Sequence, residues 1–151
     1  MLILENDKRY LQEFIALNEA WISHYFNLEE SDQQLAKHPY QIVEEGGYIF
    51  SLIKDDEVIG VCALFNRKNR VFELARMAID PAHQGNGYAN ILMQHCLNKL
   101  KKLQAKEVYL YSNTCLNTAI QLYKKYQFKT QQTGTHPNYK RANIIMHRRI
   151  S

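Results

Sequence analysis

The chemistry most readily read from residue type and spacing lies mid-chain, in Ala78-Ile79-Asp80-Pro81-Ala82-His83-Gln84-Gly85-Asn86-Gly87-Tyr88-Ala89. An apolar run stops at Asp80-Pro81, a glycine-bearing loop follows, and a helix begins. Its apolar residues Ala89, Leu92, Cys96, Leu100 and Leu103 recur three or four apart, as an amphipathic helix requires. Such a loop presents unpaired backbone N–H groups at the positive end of a helix, which suits a phosphate or diphosphate. Gly85 and Gly87 let the backbone approach an anion and adopt unusual dihedral angles. Two phosphate motifs are excluded. No Gly-x-x-x-x-Gly-Lys-Ser/Thr string exists, and Asn90 stands where a dinucleotide fingerprint beginning at Gly85 needs its third glycine.

Other candidates are single side chains. Tyr123 lies on an apolar helical stripe with Leu116, Ala119 and Ile120, where a core role is the plain reading. Glu73 interrupts an apolar strand. Strand parity puts it on the face of Val71, Ala75, Met77 and Ile79, either as a buried general base or as half of a structural ion pair. The same parity sends Arg76 to the opposite face, in a structural role. Cys62, Cys96 and Cys115 are odd in number and widely spaced, and no His-x-x-x-His pair occurs, so no metal site is predicted. Cys62 and Cys96 read as small core hydrophobes.

The elements that must position these groups follow in order. A strand over Met1 to Leu4 opens the chain. Asn6 is a candidate cap for a long helix through Leu11, Phe14, Ile15, Trp21, Ile22 and Tyr25. Ser31 and Gln34 form a candidate capping box for a short helix ending before Pro39. Strands over Tyr48–Ile53, Val58–Phe65 and Arg70–Ile79 make a meander. The loop and its helix end near Leu103. A strand over Glu107–Tyr111, a helix around Ala119 and strands over Phe128–Thr133 and Ala142–His147 complete the chain. The strand–loop–helix–strand unit over 70–112 requires a right-handed crossover and a parallel pair. The expected fold class is α+β: a mixed, mostly antiparallel sheet of about six or seven strands flanked by about four helices, as one domain over 1–151.

Composition narrows the function classes. The net charge is +4, with Lys99, Lys101, Lys102 and Lys106 clustered around a helix end, where cations suit the dipole. No nucleic-acid-binding motif is present, so no nucleic-acid partner is expected. No apolar run approaches the ~20 residues that span a bilayer. The start turns acidic at Glu5 and Asp7, unlike a signal peptide, so no membrane partner and a cytoplasmic location are expected.

Gln84-x-x-Gly87-x-Ala89 resembles the acyl-CoA pyrophosphate loop of the GNAT superfamily of N-acetyltransferases. A second segment, Asn117 to Phe128, is similar to that family's Ala-x-x-Leu/Phe-Tyr-x-x-x-Gly-Phe helix, in the expected place. Leu17–Ile22, Gly46–Phe50, Glu73–Ile79 and Tyr139–Ile144 resemble strings in a bacterial branch of the family. Two departures stand out: Gln127 replaces the usual glycine before Phe128, and Leu116 takes the place of a common asparagine.

The resemblance implies acetyl-CoA as co-substrate and transfer of its acetyl group to a primary amine of a small molecule or amino acid by direct attack. Protein acetylation and a non-catalytic acyl-CoA sensor stay open as alternatives, as does a homodimer. It implies a diphosphate contact at Gln84, Gly85, Asn86, Gly87, Tyr88 and Ala89, and an acyl and pantetheine contact at Met77, Ala78 and Ile79. Tyr123 then matches the general acid and Glu73 the base, and either Asn113 or Asn117 holds the pantetheine arm. Trp21, Tyr25, His136, Tyr139 and Arg141 would wall the acceptor pocket, with Arg141 suited to a substrate carboxylate.

Overall fold

Seven strands pair into one sheet in the computed structural model, which describes residues 1–134 and 140–150. The strands are β1 (Leu2–Glu5), β2 (Tyr48–Lys54), β3 (Glu57–Asn66), β4 (Val71–Ile79), β5 (Glu107–Ser112), β6 (Lys129–Thr133) and β7 (Ile144–Arg149), in the order β1-β2-β3-β4-β5-β7-β6. Only β4 and β5 pair in parallel, as the crossover between them demands. The helices are α1 (Leu11–Tyr25), α2 (Glu30–Lys37), α3 (Gln41–Glu44), α4 (Tyr88–Lys102) and α5 (Asn117–Lys125).

Two apolar layers sandwich the sheet. On one face α4 buries Leu92, Met93, Cys96 and Leu100 against Phe50, Leu64, Leu74 and Leu110. Each fully buried side chain of this size contributes roughly 1.5–3 kcal/mol. On the other face α1 sets Phe14 against Ile49, Val61, Ala63 and Ala78.

Several local expectations need correction. Asp7, not Asn6, caps the first turn; Asn6 instead accepts the Ile49 amide at 2.8 Å and ties β1 to β2. The α2 capping box uses Glu29 and Asp32 rather than Ser31 and Gln34, because Asp32 reaches back to the Glu29 amide at 2.8 Å. The four-residue α3 was not foreseen from the periodicity, being too short to show one.

The largest correction lies in β4. Val61 pairs with Ala78 and Ala63 with Ala75, so β4 uses one residue more than β3 over the same span. That bulge falls at Arg76, whose φ of 61° is left-handed. Alternation therefore restarts. Met77 and Ile79 pack on the α4 face, while Ala78 packs on the α1 face. Glu73 shares the α1 side with its register partner Phe65, not the face of Met77 and Ile79 that unbroken alternation implied.

Candidate active site

β4 and β5 stay paired only from Val71–Glu107 to Glu73–Tyr109, although both run further. Past that point they fork, and the fork opens a cavity of about 120 Å³ through the sheet. Leu74 and Met77 wall it on the α4 side, with Leu116 and Tyr123 from the α5 segment. Asn18, Trp21, Glu73 and Tyr111 line it too, together with Arg76 and Arg141.

Tyr123 packs against the main core with its ring 6.1 Å from that of Phe128. Burial pushes its hydroxyl up to about 12, helped by the nearby Cys62 thiol, so it remains protonated in any ordinary buffer. Gln127 does not disturb the exit of α5. It adopts a left-handed φ of 69°, while Phe128 donates to the Tyr123 carbonyl at 3.0 Å and Gln127 to that of Lys124 at 2.9 Å. This is the glycine-type helix termination built with glutamine.

Glu73 is 3 % exposed, and its Oε1 accepts two bonds from Arg67, at 3.0 and 2.6 Å. Tyr109 is pushed up to about 12 and Tyr111 is raised as well, each first by burial and then by the Glu73 charge. Glu73 is thus both an ion-pair partner and a cavity wall.

Arg76 does not turn away from the site. It lines the cavity, and its guanidinium binds Asp32 Oδ1 at 2.5 Å. Arg141 grips both Asp32 oxygens at 2.7 Å and Glu29 Oε2 at 2.9 Å. The bidentate partner expected of a substrate is therefore an internal carboxylate. Burial raises the Asp32 carboxyl, but bonds from Arg141, the Glu29 amide and Arg76 outweigh it and leave Asp32 below its ordinary value.

The loop ahead of α4 fits an anion. Gly85 and Gly87 hold φ of 82° and 79°, and a Cβ on either would meet nothing within 4 Å. Backbone conformation, not crowding, requires glycine there. Gly87 caps α4 without a side-chain hydrogen bond, and among the described residues the amides from Gly85 to Ala89 donate to no protein acceptor. Tyr88 is buried and anchors the helix start, while Gln84 and Asn86 brace the loop on the Ile79 and His83 carbonyls. Asn90 accepts from Lys125 at 2.8 Å and Tyr126 at 2.9 Å, which locks the first turn of α4 to the end of α5.

The fork gathers Glu73, Met77, Asn113, Tyr123, Trp21 and Arg141. Ala78 and Ile79 lie beyond it, on the strand leading to the loop. Asn113 lines the cavity but bonds the Arg141 carbonyl and the Cys115 amide, whereas Asn117 is exposed at the first turn of α5. Tyr25 is exposed and outside the cavity. His136 and Tyr139 lie outside the described residues. Sequence reasoning missed Asn18, Asp32 and the bulge. The available signal was an arginine in the apolar run Leu74-Ala75-Arg76-Met77-Ala78.

Residues 14–128 match the family model of the acetyltransferase (GNAT) family. The chain belongs to the GNAT acetyltransferase family. An acetyltransferase of the GNAT family from Staphylococcus aureus Mu50 superposes with a TM-score of 0.88 at 17% identity, over 99% of both chains. The putative acetyltransferase yncA from Salmonella typhimurium, solved with its cofactor acetyl-CoA, gives 0.77 at 16% identity, over 100% of this chain and 94% of that one. The paiA N-acetyltransferase from Thermoplasma acidophilum, in complex with coenzyme A, gives 0.73 at 20% identity over 99% of both. No curated protein matches the chain in sequence. Among the described residues, no helix of this GNAT chain is long and apolar enough to cross a membrane.

Proposed function

We propose that this protein is an acetyl-CoA-dependent N-acetyltransferase acting on a primary amine of a small molecule. The observation that carries the reading is the pairing of five undirected amides, Gly85 to Ala89, with a forked sheet whose cavity holds Tyr123. The amides receive the diphosphate at the positive end of α4. The pantetheine arm follows β4 past Ile79 and Ala78, and the thioester reaches the fork beside Met77. Asn113 is committed to the Arg141 carbonyl, which leaves Asn117 to hold the arm.

The amine nitrogen attacks the thioester carbonyl, and backbone N–H groups at the bulge stabilise the oxyanion. The C–S bond then breaks, and the thiolate leaves toward the Tyr123 hydroxyl. Glu73 takes the proton that the amine loses, directly or through water. The free thiols Cys62, Cys96 and Cys115 are consistent with a reducing compartment such as the cytoplasm.

Calorimetry with acetyl-CoA, followed by a thiol-release screen over amines, tests this. Binding heat and release that are both lost in Gly87→Glu are expected. Absence of heat for acetyl-CoA would sink the reading.

A further inference from the structure

The charges around the fork are already matched inside the protein. Arg76 and Arg141 face Asp32 and Glu29, two cations against two anions, all tied by direct bonds. Asp32, which takes both arginines, is 3 % exposed. A substrate carboxylate would have to displace it and leave it buried without its partners, which is strongly unfavourable. Among the described residues, Glu73 is the one carboxylate lining the cavity, and Arg67 donates two bonds to it. A second ammonium, as on a diamine, would have to be desolvated beside a carboxylate that a guanidinium already binds.

Those walls define what does fit. Trp21 and Phe26 lie 6.2 Å apart at a tilt, and Phe65 and Tyr111 continue the lining on the side of Glu73. Aromatic faces around carboxylates and guanidinium groups that already bind one another favour a single amine carried on an apolar body. Resting on the acetyltransferase reading above, we propose that the acceptor is a lipophilic primary monoamine without a carboxylate. Its amine lies toward Glu73 and its ring or chain lies against Trp21, Phe26 and Phe65. The amino acid that Arg141 suggested in the sequence is thereby disfavoured.

The test compares 2-phenylethylamine with L-phenylalanine, which adds only a carboxylate, and with 1,4-diaminobutane, which replaces the ring by a second ammonium. Thiol release from acetyl-CoA by the full chain is read for each. Phenylethylamine is expected to lead both by roughly 100-fold in kcat/KM, since a buried unmatched charge is rejected more sharply than a missing methylene. Trp21→Leu is expected to raise its KM about tenfold, within the range for lost apolar contact, with acetyl-CoA affinity unchanged. Equal or better turnover of phenylalanine or diaminobutane overturns the substrate class and leaves the enzyme reading standing. So does binding heat for acetyl-CoA with no turnover of phenylethylamine, or an unchanged KM in Trp21→Leu. Absence of acetyl-CoA heat overturns both.

Discussion

Arg76 and Asp32, separated by 44 positions in sequence, meet in a buried ion pair 2.5 Å long at the mouth of the fork. The arginine backbone there is left-handed, a conformation that costs an ordinary residue about 1–2 kcal/mol. The pair holds that bulge in place and fixes α2 to β4. Arg141 binds the same carboxylate from the entry to β7, so one buried side chain joins three separate parts of the chain beside the cavity.

Removing that carboxylate is expected to be expensive. Asp32→Asn leaves two buried guanidinium groups short of charge, and a loss of about 3–5 kcal/mol follows from breaking such a cluster. Urea unfolding measures it. The acid dependence has a definite sign. Asp32 lies below its ordinary value of 3.8 when folded, so its contribution is complete above 3.8 and disappears as pH falls through the lower folded value. The Tm gap between wild type and Asp32→Asn should therefore narrow in that acid window and stay constant above it.

Gln127 presents the opposite case, a strained residue whose side chain makes no hydrogen bond among the described residues. Its φ of 69° closes α5 where glycine would do so freely. Gln127→Gly is expected to raise stability by about 1 kcal/mol, read as a higher urea midpoint at unchanged m. A lower midpoint would mean that the glutamine side chain contributes more than its backbone costs.

Glu73 pairs with Arg67 and is proposed to take the amine proton, and kinetics can separate the two roles. If it only pairs with Arg67, Glu73→Gln should change stability and little else. Under the proposed role as proton acceptor, its loss is expected to lower kcat/KM by about 100-fold, the lower end for a general base, with acetyl-CoA affinity intact. Rescue by Glu73→Asp is not expected, because a shorter side chain gives up the 2.6 Å bond to Arg67.

The sequence made the glycine loop ahead of α4 legible because its signal is local: two glycines, a strand before them and an amphipathic helix after. Strand order around the crossover followed from the same locality. Arg76 was misplaced because alternation assumes an unbroken strand, and a bulge leaves no mark except the odd residue that occupies it. The Arg141–Asp32 pair was equally hidden. Its members are 109 positions apart, and only the closed sheet makes them neighbours. Asn113 and Asn117 could not be told apart by type; what separates them is that one is occupied by backbone groups and the other is exposed.

Tyr123 allows a sharper statement than general acid. With its hydroxyl near 12 and an ordinary thiol near ~8.5, the phenol is the weaker acid by about 3 units. In the proposed reaction the phenol acts as a hydrogen-bond donor that stabilises the thiolate as it leaves, and solvent supplies the proton afterwards. A hydrogen bond to a charged group contributes about 1.5–3 kcal/mol, so Tyr123→Phe should lower kcat by roughly 10–100-fold. The KM for acetyl-CoA should stay unchanged. A proton donor titrating in the assay range would give an alkaline limb in the wild-type profile that vanishes in Tyr123→Phe. The expectation is that both profiles run parallel up to the highest usable pH. A limb present in wild type alone would restore Tyr123 as a true acid, and an unchanged kcat in the variant would remove it from the reaction.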